Sequence, residues 1–289
     1  MIPAAFDYQR ATSVEDALAK LAASNGTAKF IAGGHSLVPA MKMRLAQPAV
    51  LIDIARVPAL TGIREQSGTI EIGACTTHHD IATSALLGQQ APVLAEAAAA
   101  IGDPQVRHRG TLGGSLAHAD PSADYPAAIL ALEAQIHVQG PRGARSIAAS
   151  DFFRDLFTVD VQPDELIVSV SFAPAPASAY AKLHQRASHF AIVGVAAALD
   201  IRGGAIQGAR VGVTGATSHA FRLTNVEKAL AAQPASEESL AAAVAGAGDR
   251  LADVNADLHG SAEYRRAMVG VFARRALTRA LERVRTQGG

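Results

Sequence analysis

Apolar positions recur along the chain first at helical spacing and then in short runs. Val14, Ala17, Leu18, Leu21 and Ala22 share one helical face behind Ser13, a good N-cap, until Asn25-Gly26 stops them. Residues 28–32 form a short apolar strand that ends in Gly33-Gly34. Residues 37–45 have helical character with Pro39 tolerated in the first turn, and 50–54 is a second buried strand closed by Asp53 and Pro58. These elements predict a βαβ-like unit of about 30 residues. From about residue 59 the pattern changes, and 61–65 and 69–73 flank Ser67-Gly68 as a hairpin. Helices are expected at 92–101 and 126–132, and strands at 134–138 and 165–172. The run Pro174-Ala175-Pro176-Ala177 marks a boundary. Beyond it, 191–201 and 205–213 flank Gly203-Gly204 as another hairpin, and helical patterns follow at 224–232, 237–251 and 263–285. The reading is three units: a small α/β segment at 1–58, a larger α+β segment at 59–175 and a strand-plus-helix unit at 176–289.

Composition narrows the function. The 289 residues are 49% apolar and 18% charged, enough for a sizeable core and too apolar for wholesale disorder. Twenty-six basic and 26 acidic residues give zero net charge, which removes the basic footprint of nucleic-acid binding. A neutral chain this apolar is poorly protected against association, so a partner subunit is expected. A lone Cys75 cannot supply an internal disulfide, a multi-thiolate zinc site or an iron–sulfur cluster. The start lacks a basic segment followed by an apolar one, and no apolar stretch nears the roughly 20 residues of a membrane span. The expected location is the cytoplasm, with the inner face of the membrane as the alternative. Asn25-Gly26-Thr27 reads as a turn rather than a glycan site.

Two Gly-Gly segments carry the most chemical information. Ala32-Gly33-Gly34-His35-Ser36 follows a strand and precedes a helix; Thr111-Leu112-Gly113-Gly114-Ser115 follows Arg107-His108-Arg109-Gly110. Paired glycines let the backbone approach a ligand and turn several N–H groups towards phosphate oxygens, and a helix start near Leu37 would add its dipole. The alternative for either pair is a tight turn. Neither is a G-x-G-x-x-G, and no P-loop exists in the chain. Asp120 and Asp124 flank the turn before the helix at 126–132, where they could accept hydrogen bonds from ribose or ribityl hydroxyls. Capping is the competing role for Asp124. His78-His79-Asp80 reads as a polar helix start rather than a ligand cluster, and His108 and His118 bracket the second Gly-Gly segment. No serine-nucleophile elbow is present. The inventory favours holding a nucleotide over cutting bonds.

These motifs resemble the medium, FAD-binding subunits of the molybdenum hydroxylases, the xanthine dehydrogenase family, and most of all those of the aerobic carbon monoxide dehydrogenases. The likeness spans the chain: Ile2-Pro3 with Phe6-Asp7-Tyr8, Ala32 to Pro39, Leu51-Ile52-Asp53, Asp103 to Arg107, Thr111 to Ser115, Asp120-Pro121 with Asp124, and Glu263-Tyr264-Arg265. It implies an α+β fold: a two-part FAD domain of the vanillyl-alcohol-oxidase (PCMH) type, then a C-terminal domain with a small antiparallel sheet and helices. It also implies that Lys29, Ile31, Ala32, Gly33, Gly34, His35, Ser36 and Leu37 form a first FAD-binding segment. Thr111, Gly114, Ser115 and His118 would form the second, with Asp120 and Asp124 beside it, Asp124 on a flavin-side hydroxyl. Ile167 would touch the flavin, and Lys182 is a further candidate. Phe190 stands where relatives often carry Tyr after an acidic residue; here the pair is His189-Phe190, so stacking survives and a phenolic hydrogen bond does not. Ser115 replaces a common Asn and shortens the reach.

The implied function is electron transfer. A large subunit with a molybdenum–pterin cofactor would oxidise a small molecule, carbon monoxide or an aromatic N-heterocycle. A small subunit with two [2Fe–2S] clusters would relay electrons to FAD on this chain, and an external acceptor would reoxidise it. A dimer of heterotrimers is expected from the family, and no residue of this chain is assigned as catalytic or metal-binding. The competing readings are a free-standing flavin oxidase and a scaffold that has lost FAD.

Overall fold

The computed structural model describes residues 2–287; Met1, Gly288 and Gly289 lie outside the described residues. The first sheet is parallel because helices link its strands. It comprises β1 (Asp7–Arg10), β2 (Ala28–Ile31) and β3 (Val50–Asp53) in the order β1-β3-β2, with α1 (Val14–Ala23) and α2 (Leu37–Lys42) as crossovers. Ser13 caps α1 by accepting the Asp16 N–H. The helix ends where Asn25 and Gly26 enter the left-handed region at φ 50° and 80°. α2 is shorter than its apolar pattern suggests: Arg44, at φ 63°, cannot continue a helix. Strand β1 escapes sequence reading because Asp7-Tyr8-Gln9-Arg10 is polar and exposed throughout, an edge strand without a buried side. Ile52, Ile54, Val14 and Ala17 form this unit's core, joined by Leu60, Cys75 and Leu166 from the next.

The second sheet is antiparallel, in the order β4-β5-β10-β6-β7: β4 (Ile63–Gln66), β5 (Thr69–Gly73), β6 (Gln135–Gly140), β7 (Gly143–Ala148) and β10 (Leu166–Phe172). Ser67 and Gly68, both at positive φ, give the β4–β5 hairpin a turn twisted to match its strands. Between β5 and β6 run α3 (His78–Ala82), α4 (Ala85–Gln90), α5 (Pro92–Ala99), α6 (Pro104–Arg107), α7 (Leu112–His118) and α8 (Tyr125–Ala131). Ile70, Ile72, Ile136, Val138 and Val170 of the sheet share one core with Leu94, Leu112, Leu116 and Ile129 of the helices. After β7 come α9 (Ala149–Phe152) and a small ribbon of β8 (Phe153–Asp155) and β9 (Thr158–Val159).

The third sheet, also antiparallel, runs β11 (Ser178–His184), β12 (Ala191–Arg202), β13 (Ala205–Thr214), β14 (Phe221–Arg222). Gly203 and Gly204, both left-handed, turn β12 into β13. Helices α10 (Thr224–Leu230), α11 (Glu237–Val244) and α12 (Ala262–Gln287) follow. The apolar pattern at 237–251 outruns α11, because Gly246 takes φ 65° and breaks it. On α12, Val269, Phe272, Ala273, Ala276 and Leu277 share a core with Ala179, Val193, Val195 and Val213 of the sheet. Helix α8 also rests on this sheet: a side chain at Gly212 would overlap the Ala127 carbonyl, so the missing Cβ sets the approach. The residue just ahead of α8 therefore sits where the second and third sheets meet.

Candidate functional site

The chain leaves β2 through Ala32 into the exposed turn 33–36. Among the described residues, none accepts a hydrogen bond from the N–H groups of Gly33, Gly34, His35 or Ser36. A half-exposed turn with four free N–H donors is built for an acceptor from outside. Gly34 holds φ 75°, with Ile31 and Val38 beneath it. Gly33 lies against the next piece of the site: a Cβ there would overlap the Arg109 carbonyl and sit 2.8 Å from the Gly110 Cα. Ser36 makes no side-chain cap bond, and α2 has only 6 residues, so the free N–H groups of the turn matter more than a helix dipole.

The second Gly-Gly pair is not a loop. Gly113 and Gly114 form the first turn of α7, with Thr111 as N-cap accepting the Gly114 N–H at 3.2 Å. Its early N–H groups are spent inside the protein, Leu112 on the Thr76 carbonyl and Gly113 on the Ala74 carbonyl. Gly113 is glycine because a Cβ would stand 2.6 Å from that of Ala74. What α7 offers is a face. Gly114, Ser115 and His118 recur at helical spacing on the exposed or half-buried side, while Leu112, Gly113 and Leu116 are buried on the other; Thr111, ahead of them, is buried with its hydroxyl on the Gly114 N–H. That face presents the Ser115 hydroxyl, the His118 imidazole and the exposed Gly114, groups suited to sugar hydroxyls.

Asp124 does not cap α8; its side chain makes no cap bond. It is 4% exposed, and its carboxylate accepts from Tyr180 Oη at 2.6 Å, with Lys182 Nζ 2.8 Å away. Lys182 also donates to the Ala100 carbonyl at 2.8 Å. Burial pushes the Asp124 carboxyl up, opposed by Lys182 and Tyr180. Gly194 makes room, since a side chain there would overlap the Tyr180 hydroxyl. Sequence reasoning missed Tyr180; its period-2 relation to Lys182 on one strand was the available signal.

The remaining positions fall around this arrangement. Asp120 closes its own turn by accepting the Ser122 N–H at 2.8 Å. Phe190 ends the β11–β12 loop, and the Ala191 N–H donates to the Ser122 carbonyl, which brings it beside the 120–124 segment. His259 stands edge-on to its ring at 5.3 Å, and Phe157 packs against His118 at 5.2 Å. Neither contact was legible in sequence. Lys29 is exposed on β2, Leu37 is half-buried in α2, and Ile167 is buried in the central core rather than on the open turn.

His78 lies beneath the Gly33 contact, its Nδ1 3.0 Å from Tyr125 Oη. Burial, helped by His35 and Arg107, brings its pKa down to about 4, so the ring is neutral. Its flat ring fits against Gly110, where a Cβ would overlap it. Among the described residues no cluster of His, Cys, Asp and Glu could hold a metal ion.

Comparison with known proteins places the chain in a family. Residues 4–175 match the family described as the FAD binding domain in molybdopterin dehydrogenase, and 178–280 match the CO dehydrogenase flavoprotein C-terminal domain. The chain is 39% identical to the carbon monoxide dehydrogenase medium chain of Hydrogenophaga pseudoflava, covering 98% of this chain and 99% of that one. It is 41% identical to the 6-hydroxypseudooxynicotine dehydrogenase complex subunit alpha of Paenarthrobacter nicotinovorans, covering 99% and 97%. Among solved structures, carbon monoxide dehydrogenase from Hydrogenophaga pseudoflava, in a form lacking the Mo-pyranopterin moiety of its molybdenum cofactor, superposes with a TM-score of 0.93 at 40% identity. That match covers 98% of this chain and 99% of the other. The free donors at 33–36 and the Ser115 and His118 side chains of α7 are chemically suited to the diphosphate and sugar hydroxyls of FAD. The chain belongs to the FAD-binding, medium-subunit family of the molybdopterin dehydrogenases, as an oxidoreductase subunit whose cofactor is FAD.

Proposed function

We propose that this chain holds one FAD against the 33–36 turn and the exposed face of α7, and passes electrons through it within a molybdenum hydroxylase complex. The observation that carries the reading is the contact of Gly33 on Arg109 and Gly110, which makes one cradle of two segments about 75 residues apart in sequence. The N–H groups from Gly33 to Ser36, flanked by Lys29, Ile31, Ala32 and Leu37, would carry the pyrophosphate. Thr111, Ser115 and His118 would bind ribose and ribityl hydroxyls across Gly114, with Asp120 nearby. Asp124 and Lys182 would anchor the inner end, Phe190 would lie towards the ring, and Ile167 would back the site from the core. Held there, FAD would supply the redox chemistry that links iron–sulfur clusters to an external acceptor. The chain's own residues bind it, orient it and limit its contact with water.

The proposed partners are an iron–sulfur small subunit and a molybdenum large subunit, assembled as a dimer of heterotrimers. Support comes from the medium-chain relatives and from the single buried Cys75, which cannot hold clusters itself. The proposed units are 1–58, 59–175 and 176–289, since each of the three main sheets falls within one of them. Among the described residues no helix is long and apolar enough to cross a membrane; the proposed location is the cytoplasm, or the inner face of the membrane. The substrate stays open, because relatives at 39% and 41% identity are named for carbon monoxide and for 6-hydroxypseudooxynicotine. The test is flavin content of the purified complex and of the chain alone after adding FAD. Stoichiometric flavin supports the reading. A complex without flavin favours the scaffold alternative, and substrate turnover by the isolated chain favours a free-standing oxidase.

A further inference from the structure

Arg265 lies in the first turn of α12, is 1% exposed, and is a cation at the helix end that favours anions. Taking a guanidinium out of water is costly unless its partners offset the lost hydration. Helix stability alone does not explain it. Its bonds run in two directions. Nη1 donates to the carbonyls of Ile192 at 2.6 Å and Gly215 at 2.9 Å. These are the strand ends that grip the segment leading to Asp124: the Ala191 N–H donates to Ser122, the Gly215 N–H to Pro121, and Thr214 Oγ1 to Pro121 and Ala123. In the other direction, Nη2 donates to Asp257 at 2.7 Å. Asp257 in turn accepts the N–H of His259 at 2.8 Å, and His259 stands against Phe190. Leu258, at the tip of that turn, is 90% exposed, so apolar packing at the tip does not hold the turn in place.

We propose that Arg265 is a positioning residue for the flavin site: one guanidinium fixes both the 121–124 segment and the turn that sets His259 on Phe190. The inference rests on the FAD reading above. It extends the site to His259, a residue 69 positions beyond Phe190 in sequence, and gives the Glu263-Tyr264-Arg265 motif a task.

The experiment uses the full chain in its subunit complex, stripped of flavin and retitrated with FAD. Affinity, the visible circular dichroism of bound flavin and the thermal midpoint of the flavin-free protein are followed together. Asp257→Asn and Arg265→Lys should each weaken FAD binding about tenfold and change the flavin dichroism, as expected for losing a charged hydrogen bond. His259→Ala should change the dichroism with the thermal midpoint at its wild-type value. Leu277→Ala, in the core face of the same helix, should lower the midpoint and leave FAD affinity unchanged. The proposal is overturned if Asp257→Asn and His259→Ala bind FAD with wild-type affinity and dichroism. It is equally overturned if Leu277→Ala weakens FAD as much as Asp257→Asn, since Arg265 would then act through stability alone. A wild-type complex that takes up no FAD overturns the proposed function together with this inference.

Discussion

Gly33 packs directly against the main-chain carbonyl of Arg109, with no room between them for a Cβ. That contact joins the turn after the second strand to the residues that lead into α7. A methyl group at Gly33 must push one segment off the other. Gly33→Ala is expected to destabilise the protein by about 2 kcal/mol, as overpacking does elsewhere, and to abolish FAD uptake. Urea unfolding and flavin content of the same preparation check both effects.

The Asp124–Lys182 pair makes a second expectation. Both side chains are buried, and removing one leaves the other charged without a counter-ion. Asp124→Asn should lower stability by about 3 kcal/mol, whereas adding Lys182→Met should recover much of the loss because the orphaned charge goes too. Unfolding midpoints of the two single variants and the double variant complete the cycle.

His78 makes stability depend on pH. Its pKa falls from 6.5 in the unfolded chain to about 4 when folded, chiefly by burial. The unfolded state therefore binds the proton better. The contribution is fully present above about pH 6.5 and is lost as pH falls towards 4, amounting to about 3 kcal/mol at the low end. Unfolding free energies measured between pH 7.5 and about 4.5 should show this slope, and His78→Phe should flatten it.

Cys75 should be silent to reagents. It is buried, and burial pushes its thiol up to about 12, leaving almost no thiolate at neutral pH. Titration with a thiol reagent should find no reactive group in the native protein and one per chain in denaturant.

Long, patterned elements were readable from the chain. The helix from Val14, both glycine-turned hairpins and the long C-terminal helix follow from spacing, caps and turn residues. The misses have particular causes. Residues 111–115 read as a glycine-rich ligand segment rather than a helix because paired glycines have poor helix propensity. Tertiary packing overrides that: Gly113 is needed against Ala74, and Thr111 supplies a cap. Strand β11 follows a Pro-Ala run and is mostly buried, so Tyr180, two residues before Lys182 on it, did not stand out from its neighbours. At the site, spacing left Asp124 poised between capping and binding. Only its burial against Lys182 removes the capping role. His259 and Phe157 reach the site through contacts between distant segments, which no local pattern encodes.

The most direct measurement is an FAD titration of the wild-type full chain and of Ser115→Leu, alone and with the partner subunits. Ser115 is half-buried on α7, beside the exposed Gly114, so added bulk there should block the cradle and spare the fold. One FAD per wild-type chain is expected, with a strongly reduced uptake by Ser115→Leu at an unchanged thermal midpoint without flavin. Wild-type affinity in Ser115→Leu, or no flavin in the wild-type complex, would contradict it.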